Sequence, residues 1–171
     1  IFGMNILLPT MLKAFQSGVL TASGQVDVTV TMKTDETFSR SVLNNVRRVD
    51  GVSAATGLLS RTTNIPDKFY GSAKVGALTV TGIEPTTAQA LHNYDVVEGR
   101  FLHSDDPLSA VITRSLADTL GLGVGDKLRL PTTEGATTLK IVGLLPARTL
   151  PGNEQVLITL QQAQKLLDLS D

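Results

Sequence analysis

Cysteine and tryptophan are absent from this 171-residue chain, and only 4% of its residues are aromatic. The lack of cysteine excludes disulfides, thiolate zinc sites and cysteine nucleophiles. Because rings are scarce and 42% of the residues are hydrophobic, the core has to consist of Val, Leu, Ile and Ala. A chain of this length is expected to form one domain, or two small lobes that share a core.

An excess of charge and a long apolar run are missing too. Fifteen basic residues stand against sixteen acidic ones, and because the basic residues are scattered, nucleic-acid binding is disfavoured. No stretch reaches the roughly 18 to 20 apolar residues that a membrane-spanning helix needs. The apolar start, residues 1–8, lacks the basic region and cleavage site of a signal peptide, so we expect a segment taken from a longer polypeptide, with a naturally processed terminus as the alternative.

The first part of the chain predicts a helix over residues 6–20, then a strand and a second helix. The segment Val26–Met32 alternates apolar and polar residues strictly, which is typical of a strand with one buried face. Asp35 can cap the helix that follows, and Gly51 can end it. We expect Val28 and Val30 of the strand to pack against this helix, whose predicted buried residues are Phe38, Val42, Val46 and Val49.

The remaining elements are mostly strands. Residues 52–65 and 77–83 predict a hairpin, and residues 66–76 between them, rich in turn formers, predict a protruding loop. Further along, a strand at 110–112, a helix from the cap Thr113 to Leu120, and strands at 127–130 and 137–145 are expected. A last strand at 155–159 leads into a helix that faces inward through Leu160, Ala163, Leu166 and Leu167.

This order of elements predicts an α+β fold. A split βαβ main lobe would comprise residues 25–98 and 153–171, with a small β-rich lobe, residues 99–152, inserted between its two parts. Residues 1–24 would form a separate N-terminal helix.

The segment Gly121–Lys127 superficially resembles a phosphate-binding loop. Its spacing does not fit, because a P-loop needs four residues between its first glycine and Gly-Lys, followed by Ser or Thr, and runs from strand to helix. Here Asp126 precedes Lys127 and the order is helix to strand. We interpret the segment as a helix C-cap followed by a Gly-Asp turn.

Catalytic and metal-binding patterns are weak. His92 lies near Asp95, and His103 lies near Asp105 and Asp106, so a metal or acid-base site is conceivable, but the turn-like sequence favours solvated turns. No serine lies in a Gly-x-Ser-x-Gly elbow. We therefore predict no enzyme activity, no metal and no cofactor.

Phe69 and Tyr70, two of the seven aromatic residues, are adjacent in the predicted loop 66–76. Such a loop normally faces water, where apolar rings often contact a partner. They are our candidate partner-binding residues. The alternative, that both rings fold back over the core, is equally open.

A family resemblance rests first on Ser109–Leu130, a strand, a short helix ending in Leu-Gly, and a Val-Gly-Asp turn before the next strand. This passage resembles one in the MacB-like periplasmic core domain of FtsX/LolC/MacB-type ABC transporter permeases. Other segments resemble family landmarks in the same order, and together they span residue 26 to the end: Val49–Val52, Gly82–Pro85, Val97–Phe101, Leu139–Leu144 and Val156–Leu167.

The resemblance implies a domain inserted between the first two transmembrane helices of a permease, exposed to the periplasm or cell exterior. Residues 1–24 would then continue from a transmembrane helix, and the main lobe would resemble a transporter porter domain. The family implies a permease dimer working with a cytoplasmic ATPase, and an adaptor, a carrier protein or a cell-wall hydrolase as partner. The isolated domain is expected to be monomeric.

Two other functions remain open from the sequence. A free-standing envelope module could bind a small ligand or lipid in a cleft between the lobes. A small hydrolase could use His92 or His103 with their acidic neighbours.

Overall fold

The computed structural model describes residues 26, 28–31, 37–132, 135–148 and 154–166. Its helices are α1 (Arg40–Val46), α2 (Pro85–Leu91), α3 (Arg114–Leu120) and α4 (Leu160–Leu166). Its strands are β1 (Leu58–Asn64), β2 (Ala77–Ile83), β3 (Glu98–Gly99), β4 (Ser109–Thr113), β5 (Lys127–Thr132), β6 (Gly135–Leu145) and β7 (Glu154–Thr159). Within these residues, no helix is both long and apolar enough to cross a bilayer.

The strands form one mixed sheet in the order β1-β2-β7-β4-β6-β3, and β5 also pairs with β6. β1 and β2 are an antiparallel hairpin, and β2 is parallel to β7. β7 is antiparallel to β4, and β4 is parallel to β6. The eleven-residue β6 pairs with β5 along its first part and with β3 near its end, so it joins three strands.

Aliphatic side chains fill both faces of the sheet, as the composition predicts. One cluster combines α3 and α4 with the sheet through Leu116, Ala117 and Ala163, packed on Leu78, Val80, Ala110, Ile112, Leu128, Leu130, Leu139, Ile141, Leu144, Val156 and Ile158. The second cluster lies around α2 and contains Ile83, Ala88, Phe101, Leu102, Val111, Val142, Leu145 and Leu157. The sheet is therefore buried on both sides over most of its centre.

Most predicted elements are confirmed, and the α+β class with them. The hairpin, the strand before Thr113, the helix ending at Leu120 and the last strand–helix pair all occur. The helix α2 and the short β3 were not predicted. Pro85 at the first position of α2 was the available signal, since proline suits the first turn of a helix.

The prediction for Val26–Met32 is wrong where the structure describes it. Residues 26 and 28–31 form no strand, and Val28 and Val30 are 76% and 57% exposed. Strict alternation gives a strand only where a neighbouring strand supplies backbone partners and a core covers one face. None of the described strands pairs with these residues.

The second predicted helix is present but shorter and less buried than expected. It begins after Ser39, whose side chain accepts a hydrogen bond from the Ser41 amide, and it has no fully buried residue. Phe38 and Val49, predicted inside, are 39% and 58% exposed. Gly51, the predicted end, does take a left-handed conformation with φ of 89°. The predicted cap Asp35 and the helix over 6–20 lie outside the described residues.

The sheet draws strands from both predicted lobes. β1, β2 and β7 come from the proposed main lobe and β4, β5 and β6 from the proposed insert, with continuous hydrogen bonding between them. The division into residues 25–98 with 153–171, and 99–152, stays a prediction.

Candidate functional site

The loop that carries Phe69 and Tyr70 is a series of tight turns between β1 and β2. The amide of Ile65 donates to the carbonyl of Gly76 and closes the loop, while the Phe69 amide donates to the Pro66 carbonyl. Lys68 takes a left-handed conformation with φ of 65°, which is uncommon for a residue other than glycine. The turns direct both rings toward β5.

The two rings and Arg129 of β5 form one cluster. The rings of Phe69 and Tyr70 meet edge to face, with centroids 4.8 Å apart. The guanidinium of Arg129 lies 4.9 Å from the centre of the Phe69 ring, within the range of a cation–π contact. The Tyr70 hydroxyl donates to the backbone carbonyl of Arg129 over 2.5 Å.

Tyr70 is therefore an anchor of the loop. Its ring packs against the cluster that includes α3 and α4. Burial raises its pKa to about 12, and the nearby Arg129 charge, a smaller effect, acts to lower the pKa. Phe69 is also half-buried. The structure thus brings both candidate residues together on β5, and their role in binding a partner stays a prediction.

A second polar junction centres on Glu84, between β2 and α2. Its carboxylate pairs with Arg47 at 2.5 Å and accepts hydrogen bonds from the Gly57 amide at 3.2 Å and the Thr87 hydroxyl at 3.1 Å. Arg47 also donates to the carbonyl of Ala55. Glu84 thereby joins α1, the segment before β1 and α2, a role that sequence reasoning missed because its partners are distant in the chain.

Glu154 makes a comparable junction at the start of β7. Its carboxylate accepts hydrogen bonds from the hydroxyls of Thr113 and Ser115. These two residues lie at the end of β4 and the start of α3, so the carboxylate fixes the turn between them against β7.

The His-containing segments do not converge on a site. Asp106 is held by Arg100 in a two-point ion pair with both contacts at 2.7 Å, and it accepts a hydrogen bond from the backbone amide of His103. The Arg100 hydrogen bonds lower the pKa of Asp106. His92 contacts the edge of the Tyr94 ring, at a centroid distance of 5.9 Å. Among the described residues, no group of three acidic or histidine side chains could hold a metal ion.

The glycine-rich segment before β5 is the predicted helix end and turn. Gly121 caps α3 with a left-handed φ of 64°, and the Asp126 carboxylate accepts a hydrogen bond from the Gly123 amide at 2.8 Å. Gly125 donates its amide to the carbonyl of Ile141 on β6. These contacts show that the segment from Gly121 to Lys127 is a helix end followed by a turn, as predicted.

Open grooves lie on the surface of the described part of the chain, and two of them are lined by polar residues. One, of about 350 Å³, lies between α1, α2 and α4 and includes Arg40, Arg47 and Glu84. The other, of about 400 Å³, includes Tyr94, Asp95 and Arg148. Neither is the deep apolar pocket that a free-standing ligand-binding module would need.

Comparison with known proteins assigns this fold to a family. The family model described as MacB-like periplasmic core domain matches residues 1–170. No curated protein sequence matches the chain.

Two solved structures are similar. The extracellular domain of the noncanonic ABC-type transporter YknZ from Gram-positive bacteria is 17% identical, with a TM-score of 0.48 over 75% of this chain and 65% of that one. A domain of a proposed permease from Porphyromonas gingivalis is 19% identical, with a TM-score of 0.53 over 73% of this chain and 59% of that one. The chain spans less than two thirds of the length of either structure.

Proposed function

The chain belongs to the family of MacB-like periplasmic core domains, the extracytoplasmic domains of ABC transporter permeases, and from this premise we propose that it binds a partner outside the cytoplasm and passes movement to it. The movement would come from ATP hydrolysis by a cytoplasmic ATPase, acting through the full-length permease dimer. The partner is a protein of the kind that the family engages, namely an adaptor, a carrier protein or a cell-wall hydrolase.

The continuous sheet is the observation that supports mechanical coupling best. Hydrogen-bonded strands connect β1 at one edge with β6 and β3 at the other, and a close-packed interior transmits displacement with little compression. The Tyr70–Arg129 contact ties the hairpin loop to β5, and the Glu84 junction ties α1 to α2. A displacement applied at one side of the domain would therefore move the other side with it.

Distance measurements between spin labels test this proposal. The chain has no cysteine, so once any cysteine elsewhere in the full-length permease and its ATPase is replaced, a cysteine introduced at one exposed position of each protomer can be labelled alone. Thr62→Cys on β1 and Thr138→Cys on β6 are suitable, since both positions are exposed. In the full-length permease with its ATPase, each label is expected to change its distance to the equivalent label of the second protomer when ATP binds.

The matched control carries both labels in one protomer. Because the domain moves as a rigid body in this proposal, the distance between positions 62 and 138 within that protomer should not change with ATP. An ATP-independent distance between protomers would contradict the coupling role. A large change within the protomer would contradict rigid transmission.

A further inference from the structure

Three basic side chains stand together on the outer face of β5 and β6. Lys127 lies directly opposite Lys140 in the antiparallel pair, and Arg129 lies two residues along β5 on the same face. All three are exposed, and no described carboxylate forms an ion pair with them. Like charges directly opposite each other destabilise a sheet. The Lys127–Lys140 pair therefore lowers the stability of the sheet, and the packing of the core does not require it.

Contacts around the basic face formed by Lys127, Arg129 and Lys140 prevent another strand from pairing with the edge of β5, and they leave the face itself exposed. The backbone carbonyl of Arg129 on this edge already accepts a hydrogen bond from the Tyr70 hydroxyl. Pro131, further along the same edge, has no amide proton to donate. Another strand therefore cannot add to this edge readily. The Phe69 ring supports the guanidinium of Arg129 from one side, so an incoming partner meets the charged side chains.

We propose that the basic face, formed by Lys127, Arg129 and Lys140, docks an acidic, extended segment of the protein partner. This inference rests on the proposed function and names the chemistry of the partner. Alternate residues of a strand are about 7 Å apart, so an extended segment with carboxylates at alternate positions matches the spacing of Lys127 and Arg129. A bilayer fits less well, because recognition of anionic lipid takes clusters of about four to eight basic residues.

An oligoglutamate peptide is the probe for this surface, with an oligoglutamine peptide of equal length as the uncharged control. Nuclear magnetic resonance titration of this chain should give saturable shifts that are largest at Lys127, Arg129 and Lys140. Added salt should reduce the binding, because exposed charges are screened. The oligoglutamine peptide should cause no shifts there.

Charge reversal tests the location. The double variant Lys127→Glu/Lys140→Glu keeps a like-charged pair and therefore a similar sheet, and it should weaken oligoglutamate binding by about tenfold or more. The matched variant Arg40→Glu/Arg61→Glu makes the same change of net charge at exposed positions on α1 and β1, and it should alter binding by less than about twofold. Equal losses in both variants would mean a response to net charge alone and would overturn the docking site.

Three further outcomes separate the alternatives. Binding to vesicles of phosphatidylglycerol and phosphatidylcholine, without binding to oligoglutamate, would overturn the inference in favour of a lipid surface. If oligoglutamate does not bind this chain but ATP still moves the spin labels of the full-length permease, the docking inference fails and the proposed function stands. If the labels do not move, the proposed function fails whatever the peptide does.

Discussion

The hydroxyl of Tyr70 donates a hydrogen bond to the backbone carbonyl of Arg129, joining positions 59 residues apart. The contact attaches the loop between β1 and β2 to β5, which belongs to the other predicted lobe. The Tyr70 ring also covers part of the core. An aromatic residue in a surface loop thus contributes to the cohesion of the sheet, and its effect on stability can be separated from any effect on a partner.

Removing only the Tyr70 hydroxyl tests this contact. Tyr70→Phe should lower the free energy of unfolding by about 0.5 to 1.5 kcal/mol at neutral pH, the usual net value of one hydrogen bond. Urea unfolding followed by circular dichroism measures the change. No loss of stability would contradict the anchoring role of the hydroxyl.

The ionisation of Tyr70 gives a separate prediction. Its pKa is raised from 10.0 to about 12 in the folded chain, so the folded state holds the proton more tightly than the unfolded state. The stability that this provides is complete below pH 10 and is lost as the pH rises toward 12. Because the chain has two tyrosines, an absorbance titration of a Tyr94→Phe variant reports Tyr70 alone, and a midpoint near pH 10 would contradict the burial.

Local signals in the sequence predicted most of the fold. Residues 77–83 were assigned correctly because an extended stretch follows a segment rich in turn formers, and α3 because it lies between Thr113 and Gly121. The segment 26–32 had the clearest alternation and the prediction was wrong, since alternation says nothing about whether a partner strand is available. Glu84 and Arg129 could not be predicted as contacts, because their partners lie 37 and 59 positions away.

Glu84 should contribute more to stability than an exposed ion pair does. Glu84→Ala leaves Arg47 and the amide of Gly57 without their partner, which should cost about 1.5 to 3 kcal/mol. Glu98→Ala is the matched control, because Glu98 forms one ion pair with Arg114 and both side chains are more exposed. That variant should cost no more than about 1 kcal/mol. Equal losses in chemical unfolding would contradict the junction.

The close approach of α4 to β2 depends on Gly82. A Cβ atom at this position would collide with the Cβ of Ala163, so Gly82→Ala should cost about 1 to 3 kcal/mol through overpacking. At Gly76 a Cβ atom would meet nothing within 4 Å, and Gly76→Ala should be close to neutral. Melting temperatures of the two variants measure the difference, and an unchanged value for Gly82→Ala would mean that α4 packs differently.

Burial also predicts a contrast between two core candidates. Ile112 is completely buried in β4, so Ile112→Ala should cost about 2 to 5 kcal/mol. Phe38 was predicted to be buried but is 39% exposed, and Phe38→Ala should therefore cost clearly less. A larger loss for Phe38→Ala in chemical unfolding would mean that Phe38 packs more tightly in solution than in this structure.

The last prediction concerns Phe69, which supports Arg129 and is the candidate contact for a partner. Aromatic residues at the centre of an interface can contribute about 2 kcal/mol or more to binding. Phe69→Ser in the full-length permease should therefore impair partner engagement and the transport phenotype by more than the fall in the melting temperature of this chain accounts for, a fall that follows from the lost contacts with Tyr70 and Arg129. Tyr70→Phe is the comparison, because it keeps the ring that packs against Phe69 but removes the anchoring hydrogen bond.

The two variants separate a contact role from a structural role. If Phe69 contacts the partner, Phe69→Ser weakens binding more than Tyr70→Phe does, and by more than its own loss of stability accounts for. If the loop serves only to attach the hairpin to β5, any loss of binding follows the loss of stability in both variants. Unchanged binding and transport after Phe69→Ser would exclude Phe69 from the interface, since a serine cannot replace the apolar contact area of the ring.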